Sequence, residues 1–129
     1  MDHRAVTAVL DAPRERVFDY LSRLENLPKW ATEFARELKH EHGKVKVVNG
    51  LGELYFAIDA DPATGVIDMY AGESEDELAL FPTRVVALPG GRSAYTFTMF
   101  RAPGVPDKVF ESQYQSLLRE FDNIRREFT

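Results

Sequence analysis

The side chains best placed for chemistry are four tyrosines, Tyr55, Tyr70, Tyr95 and Tyr114, and two charged residues in apolar runs, Asp68 and Arg84. Asp68 stands between Ile67 and Met69, and aspartate is poorly suited to a strand interior. It reads either as an outward residue meeting a cation on a neighbouring strand or as a cavity carboxylate, a base or ligand anchor. Arg84, in the β-rich run PTRVVAL, reads either as an ion-pair partner of Asp68 or Glu53 or as a group reaching a ligand carboxylate. A buried tyrosine seeks a partner for its hydroxyl. Tyr114 is the sharpest case, because it shares a helical stripe with apolar residues. Tyr95 shares a strand face with Phe97 and Met99. Ordinary core packing is the competing account of all these aromatic residues.

Other chemistries lack their residues. There is no cysteine, hence no disulfide and no thiolate nucleophile or metal ligand. His3, His40 and His42 form no HExxH pattern and read as surface residues, so no metal site is expected. No GxSxG elbow occurs. Gly50-Leu51-Gly52 is a turn rather than a phosphate loop, and no bound cofactor is called for.

The chain has 129 residues and suits one domain spanning 1–129. A net charge of -5 argues against nucleic-acid binding, which needs a basic surface. No apolar run reaches the length of a membrane span. The N-terminus lacks a signal-peptide layout, and the lack of cysteine fits a cytoplasmic protein. Aromatic residues make up 12%, which suggests large core side chains or a lined cavity.

The elements that must position these residues begin with the last. Phe110, Tyr114, Leu117, Phe121, Ile124 and Phe128 recur at four- and three-residue steps, the stripe of a helix about six turns long. Val109 and Leu118 broaden it, Asp107 stands at the N-cap position, and Arg125 and Arg126 complement the dipole in the last turn. Such a stripe must be wrapped. RAVTAVL reads as a first strand, and Pro13 opens a short helix from Arg14 to about Arg23 with Val17, Phe18, Leu21 and Leu24 inward. Asn26 caps a second short helical turn carrying Trp30 and Phe34, side chains available for core or cavity mouth. Residues 31–41 have helical spacing, yet a strand from about Arg36 to Glu41 gives the fuller sheet.

Turns at His42-Gly43, Asn49-Gly50, Asp61–Gly65 and Pro89–Gly91 separate the remaining strands. Leu54, Phe56 and Ile58 share one face, as do Ile67 and Met69. Glu73–Glu77 places four acids in five positions and reads as a solvated loop. Pro82 interrupts the next strand and suggests a bulge or an edge. The expected class is α+β: a seven-stranded curved antiparallel sheet wrapped around a long C-terminal helix, with two short helices after the first strand.

This order, with Ala12-Pro13, Val17-Phe18, Glu25-Asn26-Leu27-Pro28 and Trp30, resembles the START-like or SRPBCC superfamily, which includes polyketide cyclases, aromatases, birch-pollen-type allergens and lipid-transfer domains. GELYFAIDADPATGVIDMY, PTRVVALPGG and YTFTMFRAPGVPDKVFE look like a small bacterial polyketide-cyclase-like branch. The resemblance implies a helix-grip fold with a cavity between sheet and final helix. The leading expectation is binding of a small apolar or aromatic molecule there, by Trp30, Phe56, Ile58, Met69, Tyr95, Phe97, Met99 and Tyr114, with Asp68 and Arg84 as polar anchors. A cyclase or aromatase-type enzyme is the second, and an interaction module using the sheet face or the acidic loop the third. No catalytic residue is singled out, and a homodimer is a further candidate assembly.

Overall fold

The computed structural model describes all residues, Met1–Thr129. Strand β1 (His3–Leu10) leads through Pro13 into helix α1 (Arg14–Ser22). A 3-10 turn (Leu24–Asn26) runs directly into the single-turn α2 (Leu27–Trp30). Six strands follow: β2 (Glu37–Glu41), β3 (Lys44–Asn49), β4 (Gly52–Asp61), β5 (Val66–Gly72), β6 (Ala79–Leu88) and β7 (Arg92–Phe100). The long helix α3 (Asp107–Glu127) completes the chain. Residues 31–36 are irregular and β2 begins at Glu37, so the strand reading of this region holds.

All strand pairs are antiparallel and the order is β1-β7-β6-β5-β4-β3-β2. β2 to β7 form a meander, and β1 joins it beside β7. His42 and Gly43 both have positive φ, 53° and 74°, which gives the two-residue β2–β3 turn the twist of its strands. Alternation then sorts the side chains. Val6, Ala8 and Leu10 of β1, Ile67, Met69 and Ala71 of β5, and Tyr95, Phe97 and Met99 of β7 are buried on the concave face.

Two ladders stop short. The β6–β7 ladder ends at Thr83↔Phe97, one residue before Pro82, which has no N–H to give. Pro82 therefore occupies a local edge although β6 is an interior strand. The β3–β4 ladder ends at Lys46↔Tyr55, so β4 continues from Phe56 to Asp61 with pairs only to β5.

On α3, Phe110, Leu117, Phe121 and Ile124 are buried, as is Phe128 at its C-cap. Each contributes about 2 kcal/mol of apolar burial. Tyr114 and Leu118 are only partly buried, and Val109 is 45% exposed, so it does not broaden the stripe. Two caps differ from expectation. Pro106 occupies the N-cap position of α3, while Asp107 is the first helical residue and pairs with Arg101. Asn26 caps nothing, because its amide donates to the Tyr20 carbonyl at 3.0 Å.

Gly65 ties the β4–β5 turn to β6. Its φ is 80°, its carbonyl accepts the Val85 N–H at 2.9 Å, and a Cβ there would lie 2.1 Å from the Val85 oxygen. Gly65→Ala is expected to cost about 2 kcal/mol or more in urea unfolding, from left-handed strain plus the clash. A loss below about 0.5 kcal/mol, within the range of neutral surface changes, would contradict this placement.

Candidate functional site

The concave face and α3 meet unevenly. The helix lies nearest β1 and α2. Phe121 stacks on Tyr95, with ring centroids 5.6 Å apart and planes 16° apart, and stands edge-on to Phe97 at 6.3 Å. Near the N-terminal end of the helix, the Arg4 guanidinium lies 5.3 Å from the Phe110 ring and 5.8 Å from the Tyr114 ring. Toward the other edge the cover thins. Leu38, Leu54, Ile58 and Phe81 of the sheet, with Tyr114 and Leu118 of the helix, remain partly exposed beside the core. These partly exposed apolar side chains mark that flank of α3 as a shallow apolar strip, or trough.

Of the residues read as candidates, Phe56, Met69, Tyr95, Phe97 and Met99 are brought together on the concave face, all buried. Ile58 joins them as a partly exposed residue, and Tyr114 faces them from the helix. Trp30 is buried beneath α3, and its carbonyl accepts from the Asn123 amide at 2.9 Å. Asp68 and Arg84 lie on the opposite, outer face, alternating with buried Met69 and Val85. Arg84 donates to the Thr64 carbonyl at 3.1 Å. Glu53 is taken instead by Lys39 at 3.3 Å and Lys46 at 3.8 Å. Asp68 stands directly across from Asp59. All three histidines are exposed.

The polar atom that stands out in the core is the Tyr95 hydroxyl. The residue is fully buried and Oη has no hydrogen-bond partner. Thr83, whose hydroxyl donates to the Ile67 carbonyl at 2.6 Å, is the polar side chain that acts on it. Burial pushes the Tyr95 phenol up, and Thr83 acts in the other direction without undoing it. Tyr95 is thus a neutral, enclosed core residue beneath Phe121.

Glu120 is the residue that the sequence reading missed. It is buried on α3, and Oε2 accepts the backbone N–H groups of Glu33 and Phe34 at 3.0 and 2.9 Å. The loop answers in kind: Glu33 is held by Arg119 at 2.7 and 2.8 Å and by Ser116 at 3.0 Å. The Arg119 hydrogen bonds keep the Glu33 carboxyl below its ordinary range. Asn123 and Asn49 anchor the loop further, through the carbonyls of Trp30 and Phe34. The Phe34 ring stands edge-on to Phe56 at 5.8 Å, so the clamped loop borders the trough. Burial pushes the Glu120 carboxyl up to about 7, against the pull of the two amides. Its position was legible, three residues after Leu117 and four before Ile124, within the buried arc.

Two surface hollows lie elsewhere. One, of about 370 Å³, is an open depression between the N-terminus and the segment 101–104. The other, of about 180 Å³, lies where β3 parts from β4.

Two outcomes are expected here. Between pH 4.5 and 7 folded Glu120 holds a proton that the unfolded chain has released, so stability falls as pH rises through that window. Glu120→Gln keeps an acceptor and removes the charge. Relative to the parent, it should gain roughly 2 kcal/mol in urea unfolding between about pH 5 and about pH 8. A pH-independent difference would show an ordinary carboxyl. Tyr95→Phe should leave thermal stability unchanged or raise it by about 1 kcal/mol, because an unpaired buried hydroxyl is removed. A comparable loss would mean that Oη has a partner.

No family model matches the chain. No curated protein matches it either. Solved structures do. XoxI from Bacillus cereus superposes with a TM-score of 0.77 at 13% identity, covering 99% of this chain and 96% of that one. The ZhuI aromatase/cyclase from Streptomyces sp. R1128 gives 0.72 at 19%, covering 98% and 92%. Ara h 8.0201 gives 0.63 at 22%, covering 98% and 97%. At such identities the likeness concerns architecture, and it agrees with the strand order and gripped helix described above. The chain has an α+β helix-grip fold.

Proposed function

We propose that the protein binds a small apolar or aromatic molecule in the trough between the sheet and α3. One observation carries the reading: Ile58, Phe81, Tyr114 and Leu118 stay partly exposed on faces that point into the fold. Apolar surface left open beside a core that buries Phe56, Met69, Phe97 and Met99 is an unfilled contact. Binding sites of this kind are mostly apolar with a few polar groups. Here the polar group is the hydroxyl of the partly buried Tyr114. The loop 31–36, clamped by Glu120 and Asn123, forms one rim and contributes Phe34. The likeness to the ZhuI aromatase/cyclase supports a concave site in this position. Asp68 and Arg84, on the outer face, take no part in it. No helix is long and apolar enough to cross a membrane.

The test is a titration with phenylnaphthylamine, a neutral dye that fluoresces in apolar surroundings. Saturable binding is expected. Ile58→Glu and Leu118→Glu should each weaken it at least tenfold, about 1.4 kcal/mol. Val9→Glu, an outer-face change on β1 at a position already 51% exposed, should leave it unaltered. Circular dichroism verifies that each variant is folded. Absence of saturable binding, or equal loss in Val9→Glu, would sink the proposal.

A further inference from the structure

A second feature lies at the seam between β3 and β4. Past Lys46↔Tyr55, the β3–β4 ladder has ended and leaves the hollow of about 180 Å³. Val45, Tyr55, Phe56, Ala57 and Leu78 line it, and Tyr55 and Ala57 belong to the outer face. The segment 73–78 folds back over the end of β5 so closely that a Cβ on Gly72 would lie 2.3 Å from the Glu77 oxygen. That close return sets Leu78, 37% exposed, at the hollow. Lys44 and Glu75 meet across its rim at 3.7 Å. Beside it, Tyr70 and Leu80 continue the row begun by Ala57, since Ala57↔Tyr70 and Tyr70↔Leu80 are direct cross-strand neighbours. Leu80 is 42% exposed.

Size restricts the occupant. Small-molecule sites run from about 300 Å³ upward, whereas an apolar cavity of about 150 Å³ is filled by benzene. The hollow therefore matches one branched or aromatic side chain. Charge restricts it further. The row next to Ala57, Tyr70 and Leu80 holds Asp59 and Asp68, opposite each other with no cation between them. On the other side lie Glu73, Asp76 and Glu77, all exposed, while the β3 side carries Lys44, paired with Glu75, and Lys46, 4.7 Å over the Tyr55 ring. Two directly opposed aspartates are unfavourable until a cation lies against them. The same acids repel nucleic acid, anionic lipid and a second copy of this acidic chain.

We infer that this hollow and its acidic flanks are a docking site for a basic segment of a partner protein. One apolar anchor side chain fills the hollow beside Tyr55, Ala57 and Leu78, and lysine or arginine on either side meets Asp59, Asp68 and the 73–77 loop. The anchor supplies affinity through its desolvation against the apolar lining. The flanking charges supply orientation and on-rate, and they make binding salt-sensitive.

The probe is a short fluorescent peptide of lysine and serine with one central leucine, compared with the same peptide carrying alanine. Anisotropy should show the leucine peptide binding at least tenfold tighter. Ala57→Phe, which fills the hollow at a position where strands accept aromatic residues, should remove that preference. Replacing Asp59, Asp68 and Glu77 by their amides should weaken both peptides and flatten the salt dependence. Phenylnaphthylamine binding should be unaltered in all these variants, because the trough lies on the other face. Equal affinity for the two peptides, a leucine preference that survives Ala57→Phe, or a concentration-dependent dimer abolished by Ala57→Phe would each overturn the inference.

Discussion

Phe121 lying flat on Tyr95 and edge-on to Phe97 is the contact on which the arrangement depends. A six-turn amphipathic helix cannot keep its stripe dry alone, and an antiparallel meander has one apolar face to cover. The three rings satisfy both needs and fix how the helix leans. Because these anchors lie on β7, next to β1, the helix sits toward that side of the sheet. The strands on the other side keep their apolar side chains turned inward under thinner cover. The trough follows from the position of the strongest helix–sheet contact.

The second organising interaction is polar. A carboxylate inside a core is costly unless its lone pairs are used. Glu120 uses one oxygen on two consecutive backbone amides, and Glu33 of the same loop is returned to the helix through Arg119 and Ser116. This exchange resembles a capping box built between two distant segments. It gives an irregular loop of six residues a fixed seat beside the site. Burial raises the Glu120 carboxyl while the two amides pull it down, so the seat sets desolvation against hydrogen bonding.

Much of the architecture was legible in the amino-acid order because it rests on local signals. Alternation in β4, β5 and β7 assigned their faces, and Phe110 to Phe128 defined the gripped stripe. Pro82 announced an edge, which proved to be where the β6–β7 ladder ends. The site was less legible, because its features are differences between neighbours far apart in sequence. Nothing near Tyr95 says that its hydroxyl ends fully buried and without a partner. Val109 fits the helical period, yet no strand reaches it. Asp68 invited a search for a cation, and the residue across from it is Asp59. Periodicity places a side chain on a face. Whether that face is covered depends on the lean of a helix and the length of a ladder.

The two shortened ladders make the sheet jointed. Strands β4, β5 and β6 form a central panel, with β7–β1 on one side and β2–β3 on the other. Each outer panel is fastened to the centre along only part of its length. Where a ladder has already ended, two panels can separate without breaking a backbone hydrogen bond. A sleeve with such seams can change its girth while the rod inside stays still. The mechanical compliance of this protein is thus written into which strand pairs end early, one of them beside a proline.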